Sequence, residues 1–438
     1  MSNRKEIFKI AFAYVGVIVG AGLSSGQDIL QYFLSFGTPG LIGAAVLGVL
    51  NIIFGKIILS LGSCFGAQSH QEVFSHITSP WITRIIDAIL IAANFIIGFV
   101  MIAGAGSNLQ QQFHIPTWMG ALICCALIIL VSFLDFEKIT GILGIFTPIV
   151  IVMIALISCV SLMHFDFDFS TLSATASTLA SPMPNIFLSV INYFSLCMLT
   201  GVSMAFVLGG SILRIDTAKK AGLLGGSMIG LVIMGAAFSM FANIISIKEA
   251  EMPMLSLVAK ISPVLSGFYA LVIFALIFNT AFSLFYADAS RFAKGNTRKA
   301  RIWMIILVAS GYAASFGGFK DLISNLYPIL GWLGMIMVLI IAGAWLLNQK
   351  RVVQEKYIRR SMVHLFAKKK YMPEYYTAVD QKKLEKLKKL SASPSEKLVS
   401  NIKDYGRQLE EQLKHPKAIM NYLKSELPVQ ETSSFESA

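Results

Sequence analysis

The sequence predicts an all-α polytopic membrane protein of about ten spans, built as two inverted repeats of five with discontinuous first and sixth helices. Three observations predict it. Apolar residues fall in long unbroken runs such as 120–133, 142–163 and 322–347. Basic residues alternate in abundance from loop to loop. Glycine-rich interruptions recur in the first and sixth runs, with Gly22 and Gly201 179 residues apart. The first two features belong to helices crossing a hydrocarbon layer of about 30 Å, which takes about 20 residues each. A transmembrane barrel would alternate apolar and polar residues in short strands, and these runs do not.

Composition agrees. The 438 residues are 55% hydrophobic and 14% charged, which is a membrane composition. The net charge of +12 does not indicate a nucleic-acid partner, because the basic residues gather in loops and a tail beside the spans. The five cysteines sit in or beside apolar runs without a Cys-x-x-Cys pair, as reduced packing residues do. The N-terminal apolar stretch outruns a signal-peptide core and reads as a retained first span.

The spans fall at about 7–34, 39–61, 83–105, 117–134, 139–163, 185–211, 220–246, 264–289, 301–317 and 322–347. The repeats are thus about 7–163 and 185–347, within a transmembrane domain 1–348. Lys and Arg decide the orientation. One side holds Arg4, Lys5, Lys9, Lys56, Arg84, Lys138, Arg214, Lys219, Lys220, Arg291, Lys294, Arg298, Lys299 and Arg301, and the other only Lys248, Lys260 and Lys320. The N-terminus is therefore expected in the cytoplasm of a cell membrane. An even number of spans puts the basic tail, 349–438, there too. Its helical spacing, with a break at Ser391–Ser395, suggests amphipathic helices. A surface appendage held by anionic lipid is favoured over a regulatory module.

The chemistry is expected at the interruptions. The first span contains the string Gly16 to Asp28, with Gly20, Ala21, Gly22, Leu23 and Ser24 at its centre, and the sixth contains Thr200, Gly201 and Ser203. A broken helix frees amides and carbonyls that cannot stay unpaired in lipid, so the break must line a cavity where those groups meet a solute or an ion. Close packing of small residues explains the same glycines without a site. Asn94 and Asn192 are placed to face the cavity or to bond neighbouring helices. Asp28 either caps the resumed helix or serves as a protonatable, cation-attracting group. Arg84–Asp87 and Asp288–Arg291 have the spacing of pairs within a helix, which is preferred over contacts at an inner gate. The histidines lack metal-ligand spacing, and no phosphate loop, nucleophile elbow or dinucleotide fingerprint occurs, so neither a metal centre nor an enzyme is expected.

The string from Tyr14-Val15-Gly16 through Val19-Gly20-Ala21-Gly22-Leu23-Ser24-Ser25-Gly26-Gln27-Asp28 resembles the YkvI-type membrane proteins. Its Gly16-x-x-Val19-Gly20-x-Gly22 core resembles the unwound first helix of LeuT-fold transporters, over residues 8–347. The resemblance implies a LeuT fold of the amino acid, polyamine and organocation superfamily. It implies a sodium site shared by the carbonyls of Gly16 and Val19 with hydroxyls on the eighth span, where Thr280 fits, Ala281 departs and Ser283 is a substitute one turn position away. It also implies that Ala21 and Gly22 hold a substrate carboxylate. The expected function is gradient-driven symport or antiport of a small, amino-acid-like or amine solute, with a solute sensor signalling through the tail as the alternative.

Overall fold

The computed structural model describes residues 2–19, 21–133, 146–163, 168–294, 296–393, 395–413, 419 and 421, and every regular element among them is helical. The first span is broken. Helix α1 (Ser2–Ile18) stops before Val19, and α2 (Ala21–Ser25) and α3 (Gln27–Tyr32) resume it in short pieces. Gly26 joins those pieces at φ 82°, and a Cβ there would stand 2.7 Å from both Met240 and Met254. Only glycine fits that combination of left-handed backbone and close approach.

The chain continues as α4 (Thr38–Phe65), α5 (His70–Ile77), α6 (Pro80–Phe113), α7 (Thr117–Val131), α8 (Phe146–Met163) and α9 (Phe169–Ala176). The second half comprises α10 (Ile186–Gly210), α11 (Ile215–Ala242), α12 (Ile244–Ile247), α13 (Pro253–Ile261), α14 (Pro263–Ala293), α15 (Thr297–Ala314) and α16 (Phe319–Tyr371), followed by α17 (Ala378–Leu390) and α18 (Ser395–Leu413). Helices α4, α6, α10, α11, α14, α15 and α16 are long and apolar enough to cross a membrane, and α7 and α8 are shorter apolar helices. The chain is a multi-pass membrane protein. The start of the expected fifth span, 139–145, lies outside the described residues.

Packing exposes the repeat. One bundle joins α1, α4, α10 and α11, a second layer joins α6, α7, α14 and α15, and α8 and α16 bridge the two. Advancing each span by five maps these contacts onto one another: α1 on α11 becomes α10 on α4, α6 on α7 becomes α14 on α15, and α8 on α11 and α14 becomes α16 on α4 and α6. The bundle is drawn together by glycines. A Cβ on Gly222 would lie 2.2 Å from the Gly55 carbonyl oxygen, and Gly48 and Gly230 face each other in the same way. In lipid such backbone contact replaces the hydrophobic drive that packs soluble helices.

Two expectations change. The sixth span is not broken, since α10 runs 25 residues without interruption. Gly201 instead lets α10 pass α1, where its Cβ would meet the Ile18 side chain at 2.5 Å. Small-residue packing, not unwinding, accounts for the glycine there. The tail is not a string of separate surface helices either. Helix α16 passes unbroken through residue 348 for 53 residues, and α17 and α18 fold back on its extension around Ile358, Met362, Leu384, Leu398 and Ile402. The Arg359 side chain, 4% exposed, donates to the carbonyls of Ser63, Cys64 and Leu213 at 2.7–3.0 Å and to Glu355, docking the tail on the ends of α4 and α11.

Gly222→Leu should therefore split the α4–α11 contact and cost about 1–3 kcal/mol or more, whereas Gly343→Leu, with open space around its Cβ, should cost little. Thermal unfolding in detergent checks this, and equal losses would contradict backbone packing as the bundle's adhesive.

Candidate functional site

The break in the first span lies against α10, α13 and α14. Val19 is buried, Gly16 and Gly22 are half-buried, and Leu23 and Ser24 are buried; Gly20 lies outside the described residues. The broken backbone is partly satisfied locally. Ser25 Oγ donates to the Gly22 carbonyl at 2.7 Å and accepts from the Gln27 amide, and Tyr269 of α14 donates its hydroxyl to the Ser24 carbonyl at 2.9 Å.

Asp28 lies beside this break, 4% exposed. It does not cap α3, because Gly26 holds the N-cap position without a side-chain bond. Its Oδ2 accepts from Tyr193 of α10 at 3.0 Å, while Oδ1 has no partner. The same carboxylate crosses back over Gly22, whose Cβ would stand 2.3 Å from Oδ2. Gln27 is fully buried with neither amide atom bonded, and the hydroxyls of Tyr14 and Tyr32 are likewise unpaired. Tyr193 packs on Tyr32 at 5.1 Å and edge-on to Phe33 at 5.5 Å.

The side away from the tail is closed. Asn192 donates to the Pro328 carbonyl at 2.9 Å, Ser189 to that of Tyr32, and Gln31 bonds Lys320 and Ser324. Gly331 takes part in this seal, since its Cβ would collide with Asn192 at 2.1 Å. Asn192 thus bonds a neighbouring helix through Nδ2 and leaves Oδ1 unpaired.

Most of the other expected residues have hydrogen bonds of their own. Thr200 donates to the Cys197 carbonyl of its own helix, and Thr280 to that of Leu276, with Ser283 half-buried on the same helix as Thr280. Asn94 binds Asp288 at 2.9 Å, tying α6 to α14. Asp87 and Arg291 pair between helices, not with Arg84 and Asp288 within them. Ser203 and Arg291 both reach His70, which also approaches Asp87, so α5, α6, α10 and α14 meet in one polar network at the tail-side end. His70 was missed because sequence shows no spacing that joins it to these partners. Tyr32 was legible, one turn beyond Asp28 on the same helical face.

Interlocked repeats around a broken first span define a LeuT-type fold, the class of the transporters it resembles. No protein-family model matches the chain. Two Bacillus subtilis (strain 168) proteins are similar: "Uncharacterized membrane protein YkvI", 24% identical over 330 residues, covering 75% of this chain and 93% of that protein, and "Uncharacterized protein YyaD", 26% identical over 327 residues, 74% of this chain and 92% of that one. Among solved structures, MhsT in complex with L-phenylalanine has a TM-score of 0.53 at 16% identity, over 76% of this chain and 87% of that one. The inward facing conformation of Mhp1 has 0.52 at 12% identity, over 96% and 91%. These likenesses establish the fold.

Burial, and secondarily the Arg291 guanidinium, hold His70 below the ordinary histidine value of about 6.5, with the opposing pull of Asp87 weaker. A depressed folded value means the unfolded chain takes the proton first, so the network's stability is full above that range and is lost as pH falls through and below it. Unfolding from about pH 8 to about pH 5 should therefore lower the Tm of the wild type more than that of His70→Gln. Parallel curves would show that His70 does not titrate within the network.

Proposed function

We propose that this chain is a gradient-driven secondary transporter of a small amino-acid-like or amine solute, working by alternating access around the broken first span. The observation that carries the reading is a polar cluster without partners at that break: Asp28 Oδ1 and both Gln27 amide atoms are buried and unbonded among the described residues. A protein that keeps such groups inside a membrane needs something to meet them. The fold supports it, as does a further solved structure of this fold, Mhp1 with bromovinylhydantoin bound, described as a nucleobase-cation-symport-1 family transporter, TM-score 0.50 at 12% identity.

In this reading the solute lies along Gly20 to Ser24 and against Asn192, Thr200 and Gly201, with Asn94 and Ser203 acting from the surrounding helices. Coupling runs through sodium on the Gly16 and Val19 carbonyls with Thr280 and Ser283, or through a proton on Asp28. The tail and N-terminus lie in the cytoplasm, the basic tail against anionic lipid, as the loop charges indicate. The seal of α16 on α10 then closes the outer side, and the His70 network joins bundle to scaffold on the inner one. The sensor reading keeps one supporting observation, the tail docked on the bundle through buried Arg359.

Uptake into proteoliposomes separates the two. A transporter accumulates solute under a sodium or proton gradient; binding without accumulation under either would make the chain a sensor. In cells, a cysteine at exposed Ser170 should react from outside and one at exposed Asn296 only after permeabilisation. The reverse pattern would overturn the orientation.

A further inference from the structure

We infer that the solute is a cationic amine without a free carboxylate, held by its ammonium against Asp28. The inference rests on the transporter reading and names the substrate class of the same site.

Charge balance is the first reason. Asp87 has Arg291, Asp216 has Lys356 and Arg360, and Glu355 has Arg359. Two buried carboxylates have no such ion pair among the described residues: Asp288, which accepts from Asn94 and has Arg291 three residues along its own helix, and Asp28, whose helix carries no basic residue and whose one hydrogen bond comes from Tyr193. A buried anion left so is costly unless a cation reaches it from outside. Oδ1 is the acceptor that remains for it.

Position is the second. A zwitterionic amino acid would bring its carboxylate to the opened backbone at Gly22. Here Asp28 Oδ2 already stands beside that backbone, 2.3 Å from where a Gly22 Cβ would be. The protein places its own carboxylate on the break. A second carboxylate arriving there would meet like charge at contact distance in a medium that screens it poorly. An amine lacking that group meets only the attraction.

The walls supply the third reason. Tyr32, Tyr193 and Phe33 form a contiguous aromatic group beside the carboxylate. Aromatic faces attract organic cations and bury their alkyl parts, whereas a bare proton uses neither property. The arrangement thus fits an alkyl or aryl ammonium ion.

Matched pairs test this: phenethylamine against phenylalanine, putrescine against ornithine, and agmatine against arginine. Each is measured for thermal stabilisation of the purified full chain and for uptake into proteoliposomes. The amines should stabilise the protein and accumulate, and the parent amino acids should not compete. Asp28→Asn preserves an acceptor for Tyr193 but removes the charge, so the protein should stay folded and bind amines about tenfold or more weakly. Uptake of a zwitterion with amines inert would overturn the amine assignment and leave transport standing, as would zwitterion uptake driven by a pH gradient and lost in Asp28→Asn. Amine binding without uptake under any gradient would support the assignment and sink the transport reading. Stabilisation by sodium alone, with no amine effective, would give Asp28 to the ion and overturn the proposal.

Discussion

The structure turns on one buried carboxylate. Asp28 lies in a membrane span with a single hydrogen bond, from Tyr193, and no protein counter-charge among the described residues. On insertion scales an acidic residue at the centre of a span costs about 2.5–3.5 kcal/mol. The neighbouring features make that position tenable. Gly22 leaves room for the carboxylate, Gly26 turns the chain so that α3 can present it, and Tyr193 reaches it from the opposite repeat. The seal of α16 on α10 keeps the group from water on one side.

Around this point the two halves of the molecule do different work. In the bundle, backbones meet at Gly48, Gly55, Gly222 and Gly230, which leaves little freedom for α4 and α11 to slide. The scaffold also packs backbone on backbone where α6 meets α7 at Gly106 and Gly120, and it adds polar ties between α6 and α14, Asn94 to Asp288 and Asp87 to Arg291. The tail adds a third tie. Arg359 donates to the Ser63 and Cys64 carbonyls in the C-terminal turn of α4, and Glu355 holds that guanidinium while accepting from Ser391 and Ala392. The tail is therefore tied to the bundle through Arg359.

Much of this was legible before the coordinates. Unbroken apolar runs dictate spanning helices, and the dense Gly16–Gly26 string, with four glycines in eleven residues, points to a break although close packing explains the same glycines. Gly201 could not be read so. One glycine in a helix serves equally for a break or a close crossing, and only the position of Ile18 decides between them. Pairing by spacing failed at Asp87 for a related reason. Arg84 stands one turn away and is available, but Arg291 belongs to a helix whose approach no local pattern records. The tail's amphipathic spacing was visible, while its docking depends on Arg359 meeting the ends of two distant helices.

The central claim is that an external cation completes Asp28. Current recording from proteoliposomes on a solid-supported membrane tests it most directly, with phenethylamine, putrescine or agmatine added rapidly at fixed pH and sodium. The wild type should give a saturable transient from charge entering the site, and Asp28→Asn should give none with its fold intact. A transient of full size in Asp28→Asn would contradict the account.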